Sequence, residues 1–158
     1  MPATPIYRTA IEASWIDYNG HLRDAYYALI LSYATDALMD RLGLDAAYRA
    51  ATGNTLYTLE MHIHYLREVH HSDQVTVGVQ LLAADHKRVH AGFDIGCESK
   101  AGLAATAEIM LLHVHQGATV ASTPFGPEVA AAIAALAPAA TDAPWPGPGS
   151  RRMELRGR

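Results

Sequence analysis

Asp17-Tyr18-Asn19-Gly20-His21-Leu22-Arg23-Asp24-Ala25-Tyr26-Tyr27 decides the fold, because it runs from a polar turn straight into the apolar stripe of one long helix. From Arg23 to Leu42, the residues Tyr27, Leu31, Ala34, Leu38 and Leu42 recur at three- and four-residue spacing, and Ile30 widens the stripe. Asp24 is placed to cap the start, and Gly43 stands where a left-handed residue ends a helix. Apolar side chains occupy much of the circumference, so the helix is expected to be largely enclosed. The turn ahead of it carries a carboxylate, Asp17. A helix start has unpaired N–H groups and partial positive charge. These can hold an oxygen on which negative charge develops, while a nearby carboxylate serves as nucleophile or base. That is the equipment for acyl transfer to water. On the residues alone, the plainer reading is stronger: Asp17 and Asn19 as turn formers and Asp24 as a cap.

Strand patterns surround the helix. Residues 5–14 alternate loosely and read as a strand; residues 45–51 read as a short helix before the turn Thr52-Gly53-Asn54. Residues 55–68 set Leu59, Met61, Ile63 and Tyr65 against Thr58, Glu60, His62 and His64. Val75, Val77, Val79 and Leu81 mark a strand over 74–84, and Val89, Ala91, Phe93, Ile95 and Cys97 mark one over 88–98. Residues 104–115 are almost continuously apolar, as in a central or interfacial strand. The short connections at 85–87 and 99–102 predict an antiparallel meander. Pro127 opens an Ala-rich helix through Leu136. Residues 138–158 turn to Ala, Pro and Gly with a basic end, a tail composition that leaves 1–137 as the folded domain. The order of elements gives an α+β class: an antiparallel sheet around one long central helix. A sheet this small leaves open edges, which predicts a homodimer or a tetramer built from dimers.

Composition narrows the function. The 158 residues fit one domain, and 50% apolar with 18% charged residues is ordinary for a globular chain. A formal charge of -4 and a pI of about 6.1 offer no footprint for nucleic acid. No apolar run is long enough for a membrane span, and the N-terminal residues lack a signal-peptide pattern. The lone Cys97, inside a strand pattern, reads as a small buried hydrophobe and fits a reducing compartment. A cytoplasmic protein is expected.

The helix-opening motif and the order of elements, over residues 5 to 120, resemble the hotdog-fold acyl-CoA thioesterases of the 4-hydroxybenzoyl-CoA thioesterase type. The turn in that family commonly reads Asp-x-x-Gly-His. This chain keeps Asp17, Gly20, His21 and Tyr26 or Tyr27, but has Arg23-Asp24 where two asparagines are frequent. The resemblance implies an acyl-CoA substrate with no cofactor and no metal. Asp17 would attack the thioester or activate water, amides near Arg23 and Asp24 would hold the oxyanion, and Asn19 would position water or the acyl group. His21 would bond backbone at the turn, and Arg23 would pair with Asp17 or with a substrate carboxylate. Sites of the family form between subunits, so Thr58, Glu60 and His62 of a second copy would face Asp17. Arg67, Lys87 and Arg88 are the cations that could meet CoA phosphates, against a plain reading as solvated surface.

The stretches Trp15–Leu42 and Thr58–Leu66 are also similar to betainyl-CoA thioesterases of bacterial carnitine breakdown. That resemblance implies a trimethylammonium acyl group held by aromatic faces, from Trp15, Tyr18, Tyr26, Tyr27, Tyr57 and Tyr65, and by a carboxylate such as Glu60. The plain alternative is that these rings fill the core. A non-catalytic acyl-CoA binding module on the same fold is a second reading. A third is a cupin-like metal site at His62, His64 and Glu68, which match H-x-H-x3-E. It lacks the upstream glycine, since position 56 is Leu56, and a second metal half.

Overall fold

Three alternating runs build the middle of one antiparallel sheet. They are β3 (Gln74–Ala84), β4 (Arg88–Cys97) and β5 (Leu103–Gln116), joined by tight turns. The structure, a computed structural model, describes residues 4–136 and Gly147. Around the three strands lie β1 (Thr4–Ala10), α1 (Asp24–Arg41), α2 (Ala46–Thr52), β2 (Asn54–Tyr65), β6 (Val120–Ser122) and α3 (Pro127–Leu136). The strand order is β1-β3-β4-β5-β2, with β6 paired to one end of β5. The expected tail over 138–158 lies outside the described residues except for Gly147.

Register explains where the core sits. Val79 pairs with Phe93, Phe93 with Ala107, and Ala107 with Ile63, so one row of apolar side chains crosses the sheet. Neighbouring rows add Val77, Ile95, Leu81, Ala91 and Ile109, all buried. Against them α1 presents Tyr27, Ile30, Leu31, Ala34 and Leu38, the stripe its spacing predicted. Each fully buried Leu, Ile, Val or Phe contributes about 1.5–3 kcal/mol relative to exposure. The result is the α+β hotdog layout. Cys97 is buried, as its pattern suggested.

Several expectations are corrected. The first strand stops at Ala10, because its partner β3 starts at Gln74; Ala13–Trp15 then form a single 3-10 turn. The four later strands are not one meander: β2 pairs with β5 at the sheet's edge, and residues 66–73 cross the strand ends to reach β3. Period-two alternation tells which face a residue occupies and not which strand lies beside it. Strand β6, three residues long, was too short to show alternation. Helix α1 is enclosed on one stripe only; Ser32, Asp36 and Asp40 keep its other side in solvent. Asp24 is not the cap. Arg23 holds that position with extended backbone, and Asp24 is the first helical residue, its carboxylate accepting from the Ala25 amide at 2.9 Å.

Candidate active site

The turn before α1 is a closed three-residue hairpin. Ile16 bridges Leu22, the Asp17 amide donates to the His21 carbonyl at 2.8 Å, and the Gly20 amide donates to the Asp17 carbonyl at 3.1 Å. Tyr18, Asn19 and Gly20 form the loop, and Gly20 takes φ +85°, the left-handed position such loops require. The Asp17 side chain folds back over this loop. Its Oδ1 accepts from the Asn19 amide at 2.8 Å and the His21 amide at 3.0 Å. Its Oδ2 has no protein partner among the described residues. The His21 amide does most to hold the Asp17 carboxyl below its ordinary value; burial opposes this, and the Asn19 amide, His21 and Arg23 add to it. Asp17 is therefore an ionised carboxylate, locked through one oxygen with the other open.

Residues 66–70 supply the opposite wall. The Leu22 amide donates to the Val69 carbonyl at 2.8 Å, His21 bridges His70, and the Leu66 and Arg67 amides both donate to the Ala104 carbonyl. Between the walls lies a cavity of about 400 Å³, lined by Asp17, His21, Leu22, Asp24, Tyr27, Tyr65, Leu66, Arg67 and Glu68. The Tyr27 and Tyr65 rings meet edge to face at 5.1 Å. Burial, with Tyr65 nearby, pushes the Tyr27 phenol up to about 12, so it stays neutral. The start of α1 also borders the cavity. Its Arg23 amide is spent on the Trp15 carbonyl at 3.0 Å, which removes it from the expected oxyanion pair. The Asp24 amide has no protein partner among the described residues.

The other expected site residues divide. Arg67 lines the cavity, with its guanidinium donating to the Ala101 carbonyl at 2.7 Å. Trp15 and Tyr26 stack at 5.4 Å and pack with the core instead of lining the cavity. Tyr18 is 93% exposed at the loop tip, and Arg23 is exposed with no ion pair to Asp17. Asn19 contributes its amide to Asp17. Thr58 is exposed on β2; Glu60 and His62, 2.9 Å apart, line a separate cavity of about 180 Å³ with His90 and Glu108. Lys87 reaches Ser122 Oγ at 3.3 Å, and Arg88 is held by both Nε and a terminal nitrogen on Asp85. Within one chain neither lines the Asp17 cavity. Tyr65, one of the aromatics expected to hold the acyl group, does line it, as does Glu68, which the sequence offers only as part of a metal motif.

That metal motif does not assemble: His62 turns to Glu60, whereas Glu68 Oε2 lies 3.3 Å from His21 Nε2. Among the described residues, the side chains that could converge on an ion are His21, Glu68 and His70. However, Lys100 Nζ sits 2.6 Å from His70 Nδ1 and 3.4 Å from Asp73, placing an ammonium where a divalent cation would be repelled.

A helix laid on an antiparallel sheet, with a carboxylate at the helix start, defines a class. Residues 11–133 match the Thioesterase-like superfamily, and the chain belongs to it. It is an enzyme of the thioester-hydrolase class. The betainyl-CoA thioesterase of Pseudomonas aeruginosa is 46% identical over 140 residues, covering 89% of this chain and 87% of that protein. The L-carnitine dehydrogenase/betainyl-CoA thioesterase of Ruegeria pomeroyi is 36% identical over 142 residues, 89% of this chain but 28% of that longer protein. Among solved structures, one from Pseudomonas putida KT2440 superposes with TM-score 0.83 at 41% identity, covering 99% of both chains. A Staphylococcus aureus protein in complex with CoA superposes with TM-score 0.87 at 28% identity, covering 99% of this chain and 98% of that one. Among the described residues, no helix is long and apolar enough to cross a membrane.

Proposed function

We propose that this enzyme hydrolyses betainyl-CoA to betaine and free CoA, with Asp17 as the reacting carboxylate. One observation carries the chemistry: an ionised Asp17 fixed through Oδ1 lines the cavity beside a helix start, and among the described residues neither its Oδ2 nor the Asp24 amide has a protein partner. As a base, Oδ2 takes the proton of the water that attacks the thioester carbon, the C–S bond breaks, and that proton passes to the CoA sulfur. As a nucleophile, Oδ2 forms an acyl-aspartate anhydride while CoA leaves as thiolate and is protonated from solvent; water then hydrolyses the anhydride to betaine and the free Asp17 carboxylate. The Asp24 amide and the positive end of α1 stabilise the oxygen as it becomes negative. The P. aeruginosa relative supports the betainyl group.

The working unit in this proposal is a homodimer. Edge strand β2 has one unpaired side and leaves Tyr57, Leu59 and Tyr65 exposed, with Tyr57 and Tyr65 on opposite faces because of the bulge at Thr58–Glu60; a second β2 would pair with that open edge. A second copy would also supply Thr58, Glu60 and His62 as a facing wall. Arg67, already at the cavity, is the cation best placed for a CoA phosphate.

Thiol release from a panel of acyl-CoA esters tests the reading. Asp17→Asn keeps an oxygen that accepts from both amides, so it should fold, while turnover falls about 10²- to 10⁴-fold, as for loss of a positioned base. Full activity in that variant would refute the role of Asp17. Tight acyl-CoA binding without any thiol release by the wild type would make the protein a binding module instead.

A further inference from the structure

The expected aromatic cage does not assemble within one chain, since Trp15 and Tyr26 stack on each other and Tyr18 faces solvent. Geometry narrows the choice. In a betainyl thioester the quaternary nitrogen sits two bonds from the carbonyl carbon, about 2.5 Å away by standard bond lengths. Whatever recognises the cation must border the same small space as Asp17. The groups that do so are the Tyr27 and Tyr65 rings and the carboxylates of Asp24 and Glu68.

These groups also resolve a conflict in the chemistry. The helix start that holds a developing oxyanion is positive, and so repels a cationic acyl group. Asp24 lies in the first turn of α1, and Glu68 stands on the opposite wall with Oε2 toward His21 and its second oxygen without a partner among the described residues. Among the lining residues, Asp17, Asp24 and Glu68 set three carboxylates against the guanidinium of Arg67, which is drawn toward Ala101. Lys100, on the Glu68 carbonyl at 2.9 Å, and Arg23, near Asp17, flank the cavity from outside its lining. A trimethylammonium group donates no hydrogen bond, so it needs diffuse negative charge and aromatic faces more than a directed partner. Tyr27 is 4% exposed and fixed by the core, whereas Tyr65, half-exposed on edge strand β2, completes the corner at 5.1 Å.

We infer that Tyr27 and Tyr65, with Glu68 and Asp24, form the subsite that selects a quaternary-ammonium acyl group. This deepens the function proposed above and rests on it. The test compares kcat/KM for betainyl-CoA with that for 3,3-dimethylbutanoyl-CoA, the neutral ester with carbon in place of nitrogen. The ratio is measured in wild type, Tyr65→Leu and Glu68→Gln, with melting temperature as a check on folding; Tyr65 and Glu68 are chosen because both are exposed. Wild type should favour the charged ester, and Tyr65→Leu should cut the ratio about three- to thirtyfold, the range of a cation–π contact. Glu68→Gln should cut it about threefold or more at low salt and less at high salt. Folded variants that keep the wild-type ratio would overturn the subsite. A wild type that cleaves both esters equally would overturn it while leaving the thioesterase intact, and one that cleaves neither would sink both.

Discussion

Replacing Gly20 by alanine probes the turn on which the site depends. At φ +85° an L-residue pays roughly 1–2 kcal/mol for a left-handed backbone. A Cβ built there meets no atom within 4 Å, so no packing clash adds to that cost. Alanine also restricts the unfolded chain, which returns about 0.4–1 kcal/mol. The net loss is about 1 kcal/mol, or a melting point lower by about 3 °C for a domain of this size. Asparagine tolerates the left-handed region better, so Gly20→Asn should lose about half as much. Thermal denaturation and thiol release on the same samples should rank Gly, Asn and Ala in that order for both stability and kcat/KM, because a twisted loop loosens the two amides on Asp17. An alanine variant that melts at or above wild type would refute the closed hairpin.

Two further outcomes follow from other groups. Asp17 is held below its ordinary value of 3.8, chiefly by the His21 amide; its ionised form, the one the proposed reaction uses, is therefore present above that value and lost only as pH falls through a lower one. The pH profile of kcat/KM should stay flat from pH 8 to 5 on its acid side, and an acid limb centred above pH 5 would contradict this. In the core, His113 is 0% exposed; its Nδ1–H donates to the Thr123 carbonyl at 2.9 Å, which leaves Nε2 to accept from the Tyr48 hydroxyl at 3.0 Å. Tyr48→Phe strands that nitrogen and should lower the unfolding free energy by about 1–3 kcal/mol in a urea titration. A loss under about 0.5 kcal/mol would mean that water replaces the phenol.

Much of the fold was legible because it rests on periodicity. The stripe Tyr27–Leu31–Ala34–Leu38 and the alternation of Val75–Leu81 and Val89–Cys97 survive into the core unchanged. Neighbour relations were not legible: the eight-residue link at 66–73 gives no local sign that β2 belongs beside β5. The same gap hid half of the site. Asp17 and Gly20 announce a turn by their own chemistry, but Tyr65 and Glu68 reach the cavity only because that link folds back on Leu22. Aromatic residues close in sequence separated in space, Trp15 and Tyr26 inward and Tyr18 outward, because they sit on three different pieces of backbone: the 3-10 turn, helix α1 and the hairpin loop. Arg88 is the exception that local reading could have caught, since Asp85 three residues earlier is placed to capture it.

The backbone bonds tying Leu22 to Val69, and Leu66 to Ala104, join stretches distant along the chain. A helix such as α1 can appear within about a microsecond, whereas pairings of this kind must wait for long loops to close. A refolding chain can thus form α1 and the Asp17 turn well before the cavity beside them is closed. After dilution from denaturant, recovery of thioester cleavage should trail the helical signal and keep time with closure of the sheet.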